Sequence, residues 1–260
     1  WHRLLWDSGI PVDFVEVSEL DEPYVGEYKA LILPFPISLA EEVAAKLKRY
    51  VEQGGNLISE AAPGRINEYC YCNRGELSPI LRELCGVRQE SLTMVREPNS
   101  GARWSPTERT WGEYLNATLL TGSGPLAGER VQANVYIETF RPTDSEPILH
   151  YGDAITGTMR KANQGRAWLL GTCVGHNGTA YRDVESHAFV RKLLAECGVG
   201  PLHQGRLLLR KRVGGNQEAW LFTNPTAEAV TEWVNLSGWG QADDLLGEPL
   251  AREGDRVQLR

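Results

Sequence analysis

The stretch from Gly171 to Gly175 contains the residues that best fit covalent chemistry. It has the form G-x-C-x-G, with Cys173 at its centre and His176 just beyond it. A cysteine nucleophile needs a base beside it and a third group that orients that base. The motif follows the last predicted strand of an α/β region, and only one helix remains after it. This position favours a small packed residue over a catalytic thiol.

In many α/β hydrolytic enzymes the nucleophile follows a central strand, which here is the strand predicted at residues 56–60. That strand runs into Ala61 and Ala62, and alanine has no atom that can attack a carbonyl. Glu60 ends the strand, where α/β sheets usually bind ligands; a solvated or capping carboxylate is the alternative. We therefore predict no catalytic residue in this chain. The candidates to test against that prediction are Cys173, His176 and Glu60.

Three aromatic residues cluster in a region rich in Gly, Pro and Thr: Trp104, Trp111 and Tyr114. Aromatic rings can stack on sugar faces, anchor a contact between subunits, or simply fill a core. The cluster therefore predicts either a sugar contact or an interface contact, with ordinary packing as the competing interpretation.

The sequence predicts neither a metal site nor a cofactor. An odd number of cysteines at irregular spacing argues against a disulfide framework. Cys70 and Cys72 are separated by one residue, and no second cysteine pair follows, so the ligand set of a structural zinc site is missing. We expect free thiols at all five positions, namely Cys70, Cys72, Cys85, Cys173 and Cys197.

The charge pattern narrows the choice of partners. The formal net charge is −7, and the sequence has no basic stripe that would neutralise phosphates, so a nucleic-acid partner is not expected. The sequence contains no run of 18 apolar residues, so we expect no membrane-spanning segment. We find no basic segment followed by an apolar one at the start, and predict a cytoplasmic protein. Because the sequence begins with Trp1 and not Met, and ends in the middle of a strand pattern at Asp255–Arg260, we expect a piece of a longer protein.

The apolar periodicity predicts a doubly wound α/β domain, similar to flavodoxin and amidotransferase folds. A strand is predicted at Val12–Val17, where apolar and acidic residues alternate. Ser38 is predicted to cap a helix, since Glu41 lies three residues later. Buried strands are predicted at Lys29–Pro34, Asn56–Glu60 and Arg166–Gly171. Helices are predicted at Leu39–Gln53, Ser78–Cys85 and His187–Cys197.

A change of pattern near Gly200 and Pro201 predicts two domains. Residues 1–200 form the α/β domain, with an irregular insertion at about 90–160. Residues 201–260 contain only short strand patterns separated by turn signals such as Asn224-Pro225. They predict a small antiparallel β-sandwich, and the strand pattern at the C-terminus predicts that this domain is truncated.

Two groups of motifs resemble known proteins. The segment Gly165–Gly171, with Gly175 and His176 after it, resembles the end of the class I glutamine amidotransferase-like domain. In that family a strand delivers the histidine of the catalytic triad. Because no nucleophile stands at position 61 or 62, the resemblance implies an inactive scaffold in which His176 is a remnant.

The order of several motifs resembles the trimerisation domain of glycoside hydrolase family 42 β-galactosidases. They are Gly9–Val15, Tyr28–Pro34, Leu47–Leu57, Leu81–Val87 and, for the small β domain, Ala219–Pro225. The resemblance implies a non-catalytic assembly module whose partner is itself, as a homotrimer. A galactoside would bind only through a TIM barrel outside this chain, where two carboxylates roughly 5–5.5 Å apart would do the chemistry.

One alternative belongs to a different class of function. The chain could be a stand-alone amidotransferase-like domain that binds sugar through the aromatic cluster. It could also hydrolyse a substrate with Cys173 and His176.

Overall fold

A computed structural model describes residues 1–73, 76–95, 118–176, 184–239, 242–245, 247 and 250–259. The chain divides into two compact units. The first contains Trp1–Ser8 and Val12–Gly200, and the second contains Gly9–Pro11 and Pro201–Arg260. Within the described ranges, no helix is both long and apolar enough to cross a membrane.

A mixed seven-stranded sheet forms the centre of the first unit. Its order is β1-β2-β9-β8-β7-β4-β5, and a separate two-stranded sheet pairs β3 with β6. β1, β2 and β9 are parallel, whereas the strands from β8 to β5 pair antiparallel. The strands are β1 Ala30–Leu33, β2 Asn56–Ser59, β3 Val87–Met94, β4 Leu119–Gly122, β5 Arg130–Gln132, β6 Tyr136–Pro142, β7 Glu146–Tyr151, β8 Ala154–Ala162 and β9 Gly165–Leu170.

The three strands predicted at Lys29–Pro34, Asn56–Glu60 and Arg166–Gly171 are confirmed as β1, β2 and β9, although β1 is half-buried and not buried. Every residue of β2 is buried, as is usual for a parallel strand covered on both faces. The antiparallel half of the sheet differs from a doubly wound order. It is built from residues 119–162, which lie largely within the region predicted to be an irregular insertion. β4 and β5 have only four and three residues, and β4 pairs with β7 across the intervening β5 and β6, so the local pattern of this part of the sheet is weak.

The α-helices of the first unit include α1 His2–Asp7, α2 Glu41–Glu52, α3 Pro79–Cys85 and α4 Val184–Glu196. α2 buries Ala44, Leu47 and Val51 at helical spacing. The helices predicted at the positions of α2, α3 and α4 are confirmed. α2, α3, β2 and β9 share one hydrophobic core that contains Leu47, Leu81 and Leu169.

Gly165 shows how closely α2 approaches β9. A Cβ atom at this position would lie 2.1 Å from the carbonyl oxygen of Val51 and 2.3 Å from that of Gly55. Only a residue without a side chain lets the end of α2 rest on the first residue of the strand. This contact sets the separation of helix and sheet.

Two local predictions are wrong. Residues Val12–Val17 form no strand. Residues 12–16 are irregular, and a capping box between Glu16 and Glu19 starts a 3-10 helix at Val17–Glu19. Ser38 does not cap α2. It forms a parallel bridge with Ile66, and the chain stays extended until Ala40, which precedes the first helical residue.

The second unit contains two small antiparallel sheets. One is a hairpin of β10 (Leu208–Gly214) and β11 (Gln217–Thr223). The other has the order β12-β14-β13, with β12 at Glu232–Asn235, β13 at Ala251–Glu253 and β14 at Arg256–Leu259. The buried apolar residues of this unit include Leu207, Leu209, Val230, Val234 and Val257.

Candidate functional site

The carboxyl ends of the parallel strands meet at Glu60, which directly follows β2 and is only 2% exposed. Its Oε2 accepts the backbone N–H of Phe35, just after β1, at 2.9 Å. Its Oε1 accepts the backbone N–H of Gly175 at 2.7 Å and the indole N–H of Trp1 at 2.8 Å. One buried carboxylate therefore ties together the chain after all three parallel strands and the start of α1.

This arrangement occupies the edge where an α/β sheet usually binds its ligand. A Cβ atom on Gly175 would lie 2.3 Å from Cδ1 of Trp1, so the indole packs directly on the glycine backbone. Burial raises the pKa of Glu60, opposed by the hydrogen bonds from Gly175, Trp1 and Phe35. Glu60 has the environment of a structural carboxylate that holds chain segments together.

The turn after Glu60 is sharp but carries no nucleophile. Ala61 and Ala62 are buried, and Ala62 has a left-handed backbone with φ of 60°. A non-glycine residue in this region is strained and persists only when its surroundings hold it. The N–H of Ala62 donates to the carboxylate Oε2 of Glu138 at 2.7 Å. The sharp turn that follows a strand is therefore present at Ala62, but the side chain at this position is only a methyl group.

Cys173 and His176 differ in their surroundings. Cys173 is buried, and its backbone N–H donates to the carbonyl of Asn134 at 3.2 Å. Burial, together with the negative charges of Glu60 and Glu138, raises the pKa of the Cys173 thiol. A thiol in such a place stays protonated near neutral pH, whereas a nucleophilic cysteine needs the thiolate. His176 is exposed.

Glu138 on β6 is a buried carboxylate that the sequence reasoning missed. It is fully buried, and its Oε1 accepts the side-chain N–H of Gln89 at 2.6 Å. Burial raises its pKa to about 7, against the opposing effects of Ala62, Arg65 and Gln89. The available signal was an acidic residue inside the strand pattern that runs from Tyr136 to Phe140.

Four aromatic residues lie on two paired loops and a strand end beyond this sheet edge: Phe35, Tyr69, Tyr71 and Tyr136. We call them the aromatic edge. Phe35 stacks on Tyr136 with ring centres 6.0 Å apart. The loop that carries the other two runs beside the Phe35 loop, because Ile66 bridges Ser38. Tyr69 and Tyr71 are 71% and 72% exposed, so the edge presents large rings to solvent.

The aromatic residues predicted to make a sugar or interface contact, Trp104, Trp111 and Tyr114, lie outside the described residues. As for metals, the described ranges contain no group of three or more His, Cys, Asp or Glu side chains that could hold an ion.

Residues 1–199 match the family model of the beta-galactosidase trimerisation domain. This chain belongs to that family. The resemblance drawn from the order of the sequence motifs is thereby confirmed for the first unit.

The trimerisation domain is similar to parts of larger proteins. It is 23% identical over 208 residues to beta-galactosidase BgaA of Planococcus sp. (strain 'SOS Orange'), covering 78% of this chain and 27% of that protein. It is 30% identical over 171 residues to beta-galactosidase GanA of Bacillus subtilis (strain 168), covering 65% of this chain and 22% of that protein. The chain thus spans about a quarter of the length of these curated relatives.

A solved structure shares the fold of the trimerisation domain. The crystal structure of beta-galactosidase from Bacillus circulans sp. alkalophilus superposes with a TM-score of 0.73 at 18% identity. The superposition covers 99% of this chain and 35% of that chain. The mixed sheet and the small antiparallel sheets are therefore an architecture shared with a β-galactosidase.

Proposed function

We propose that this chain is the non-catalytic assembly portion of a β-galactosidase-like glycoside hydrolase, whose TIM-barrel catalytic domain lies outside these 260 residues. The observation that carries the proposal is the match of residues 1–199 to the trimerisation domain family. The curated relatives are several times longer than the matched part and are β-galactosidases. Hydrolysis and galactoside binding then belong to the parent protein.

The buried carboxylates support the absence of catalysis here. A retaining glycosidase needs two carboxyl groups that reach the sugar, roughly 5–5.5 Å apart. Glu60 and Glu138 are both buried, and each accepts at least one backbone N–H. Their oxygens are committed to holding the fold, so neither is presented to a substrate.

The second part of the proposal is that copies of the parent protein associate through this chain to form a homotrimer. Tyrosine is one of the side chains that most often carry the binding energy of an interface. The aromatic edge supplies two such rings on a hydrogen-bonded loop, which lowers the entropy lost on contact. No nucleic-acid or membrane partner forms part of the proposal, and the prediction of a cytoplasmic location is retained with it.

Light scattering after size exclusion tests this function on the 260-residue chain and on its longer parent. We expect the measured molar mass of the parent to be three times the mass of one chain, and we expect the parent to cleave a nitrophenyl galactoside. The shorter chain should release no nitrophenol. Monomers of both proteins at all concentrations would contradict the assembly role. Turnover of the nitrophenyl galactoside by the short chain would contradict the absence of catalysis.

The scaffold itself extends the proposal. We infer an amidotransferase-like α/β domain that has no nucleophile, followed by a small antiparallel β-sandwich at residues 201–260. The parallel set β1-β2-β9 and the sharp turn at Ala62 support the first part. The competing function, hydrolysis by Cys173 and His176, requires that C173A abolish a measured activity. We expect C173A to leave the parent's galactoside turnover unchanged.

A further inference from the structure

The turn at residues 67–72 carries two thiols on a backbone closed by its own hydrogen bonds. The side-chain Oδ1 of Asn67 accepts the N–H groups of Tyr69 and Tyr71, each at 3.0 Å. The N–H of Asn67 donates to the carbonyl of Tyr71, and that of Cys70 donates to the carbonyl of Asn67, again at 3.0 Å. Cys72 then forms an antiparallel bridge with Ile66. The backbone positions of both thiols are therefore set before any ligand arrives.

These two cysteines differ from the other three in access. Cys70 and Cys72 are exposed, whereas Cys85, Cys173 and Cys197 are buried. A thiol must reach a reagent before it can bind it. In the folded chain, only the pair on the turn meets that requirement.

We propose that Cys70 and Cys72 form a surface dithiol site that binds one trivalent organoarsenical through both sulfurs. This inference does not depend on the proposed assembly function.

The sequence separation of the two cysteines allows a bridging atom. They are two positions apart, so their Cα atoms lie no more than about 7 Å apart, and the upper limit for a direct disulfide is about 6.8 Å. An arsenic atom between the two sulfurs adds one atom of reach, which relaxes that limit. After the first sulfur binds, the second is held at a high effective concentration.

The number of ligands also selects this chemistry. Structural zinc needs four ligands, and in the described part of the chain no group of three metal-binding side chains occurs. An aryl arsenic(III) centre keeps its aryl carbon and needs two sulfurs. With phenylarsine oxide, the reaction is PhAsO + 2 RSH → PhAs(SR)₂ + H₂O. Two As–S bonds form, the arsenic–oxygen bond breaks, and both thiol protons leave in the water.

The test counts accessible thiols in the folded 260-residue chain with Ellman's reagent, before and after one equivalent of phenylarsine oxide. We expect two of the five thiols to react at first, and none after the arsenical. Excess 2,3-dimercaptopropanol should restore both. Two thiols that stay fully reactive at stoichiometric arsenical would overturn the proposal.

Single variants separate a bidentate site from two independent thiols. In C70S and C72S, one thiol remains, and we expect the arsenical to bind it about 100-fold or more weakly because the chelate is lost. Equal protection in wild type and C70S would contradict the bidentate site. The double variant C70S/C72S controls for the buried cysteines and should bind none.

A peptide map of the wild-type chain makes the result independent of the variants. The folded protein is treated with iodoacetamide with and without the arsenical, and the alkylated cysteines are identified by mass spectrometry. We expect protection of Cys70 and Cys72 together. Protection of only one of them, or of neither, counts against the site.

Discussion

The carboxylate of Glu138 accepts the backbone N–H of Ala62 at 2.7 Å, although the two residues are 76 positions apart in the chain. Ala62 is the left-handed residue of the turn after β2. Glu138 is fully buried on β6. A buried titratable group thus holds the turn from which the loop of the aromatic edge departs.

This contact predicts a pH-dependent stability. The pKa of Glu138 is raised from 4.5 to about 7 by burial, so between these values the folded chain binds more protons than the unfolded chain. Its stability contribution is fully present below pH 4.5 and is lost as the pH rises to about 7. One pKa unit corresponds to about 1.4 kcal/mol. As the pH rises from about 5 to about 8, the free energy of unfolding of E138Q should therefore increase by up to about 3 kcal/mol relative to that of wild type.

Urea denaturation of wild type and E138Q at several pH values measures that difference. The amide can replace the carboxylate because Gln89 can rotate its own amide and accept a hydrogen bond from the new NH₂ group. E27Q, which changes an exposed carboxylate, serves as the control and should follow the wild-type profile. Parallel profiles for wild type and E138Q would show that Glu138 does not titrate in this interval.

We expect the corresponding change at Glu60 to have the opposite outcome, because the donor left unpaired outweighs the gain from removing a carboxyl group whose pKa burial raises. Its two oxygens accept three donors, from Phe35, Gly175 and Trp1. An amide NH₂ cannot accept, so E60Q leaves at least one buried donor without a partner, at about 1–3 kcal/mol. We expect E60Q to be less stable than wild type at about pH 8, where E138Q is more stable. Equal stability of E60Q and wild type in urea would contradict the tie between the strands.

The contact of α2 with β9 predicts a steric effect at Gly165. An alanine there places a Cβ 2.1 Å from the Val51 carbonyl, so G165A must move the helix or the strand. Overpacking of this kind costs about 3 kcal/mol or more when the backbone has to shift. G26A is the matched control, because a Cβ atom added at Gly26 would lie more than 4 Å from every residue other than its two chain neighbours and the backbone of its own helical turn. Thermal unfolding should show a large loss for G165A and little change for G26A.

The aromatic edge predicts where assembly is most sensitive. Tyr69 and Tyr71 are largely exposed, so Y69A/Y71A should change the unfolding free energy by less than about 0.5 kcal/mol. Loss of interface tyrosines costs about 2 kcal/mol or more of binding, which weakens the trimer by more than tenfold. Sedimentation velocity over a concentration series measures the dissociation. Y24A, which removes a tyrosine before β1, should leave it unchanged.

The sequence was sufficient for the parts of the fold that local patterns encode. β1 is a continuous apolar run, β2 and β9 have short apolar runs of their own, and α2, α3 and α4 place apolar residues on one face, so each could be predicted from its own residues. The order of these motifs was enough to predict the family. The predicted strand at Val12–Val17 was wrong: residues 12–16 are irregular, and the Glu16–Glu19 capping box starts a 3-10 helix where alternation of apolar and acidic residues predicted a strand.

Only the tertiary structure decided the direction of the strands from β8 to β5 and the roles of the buried acids. A hydrogen bond such as that between Ala62 and Glu138 joins residues that no local period relates. The same holds for Glu60, whose position at a strand end was predictable, but whose partners lie after β1, after β9 and before α1. Burial and pKa depend on what packs around a group, and that packing exists only once the distant strands have met.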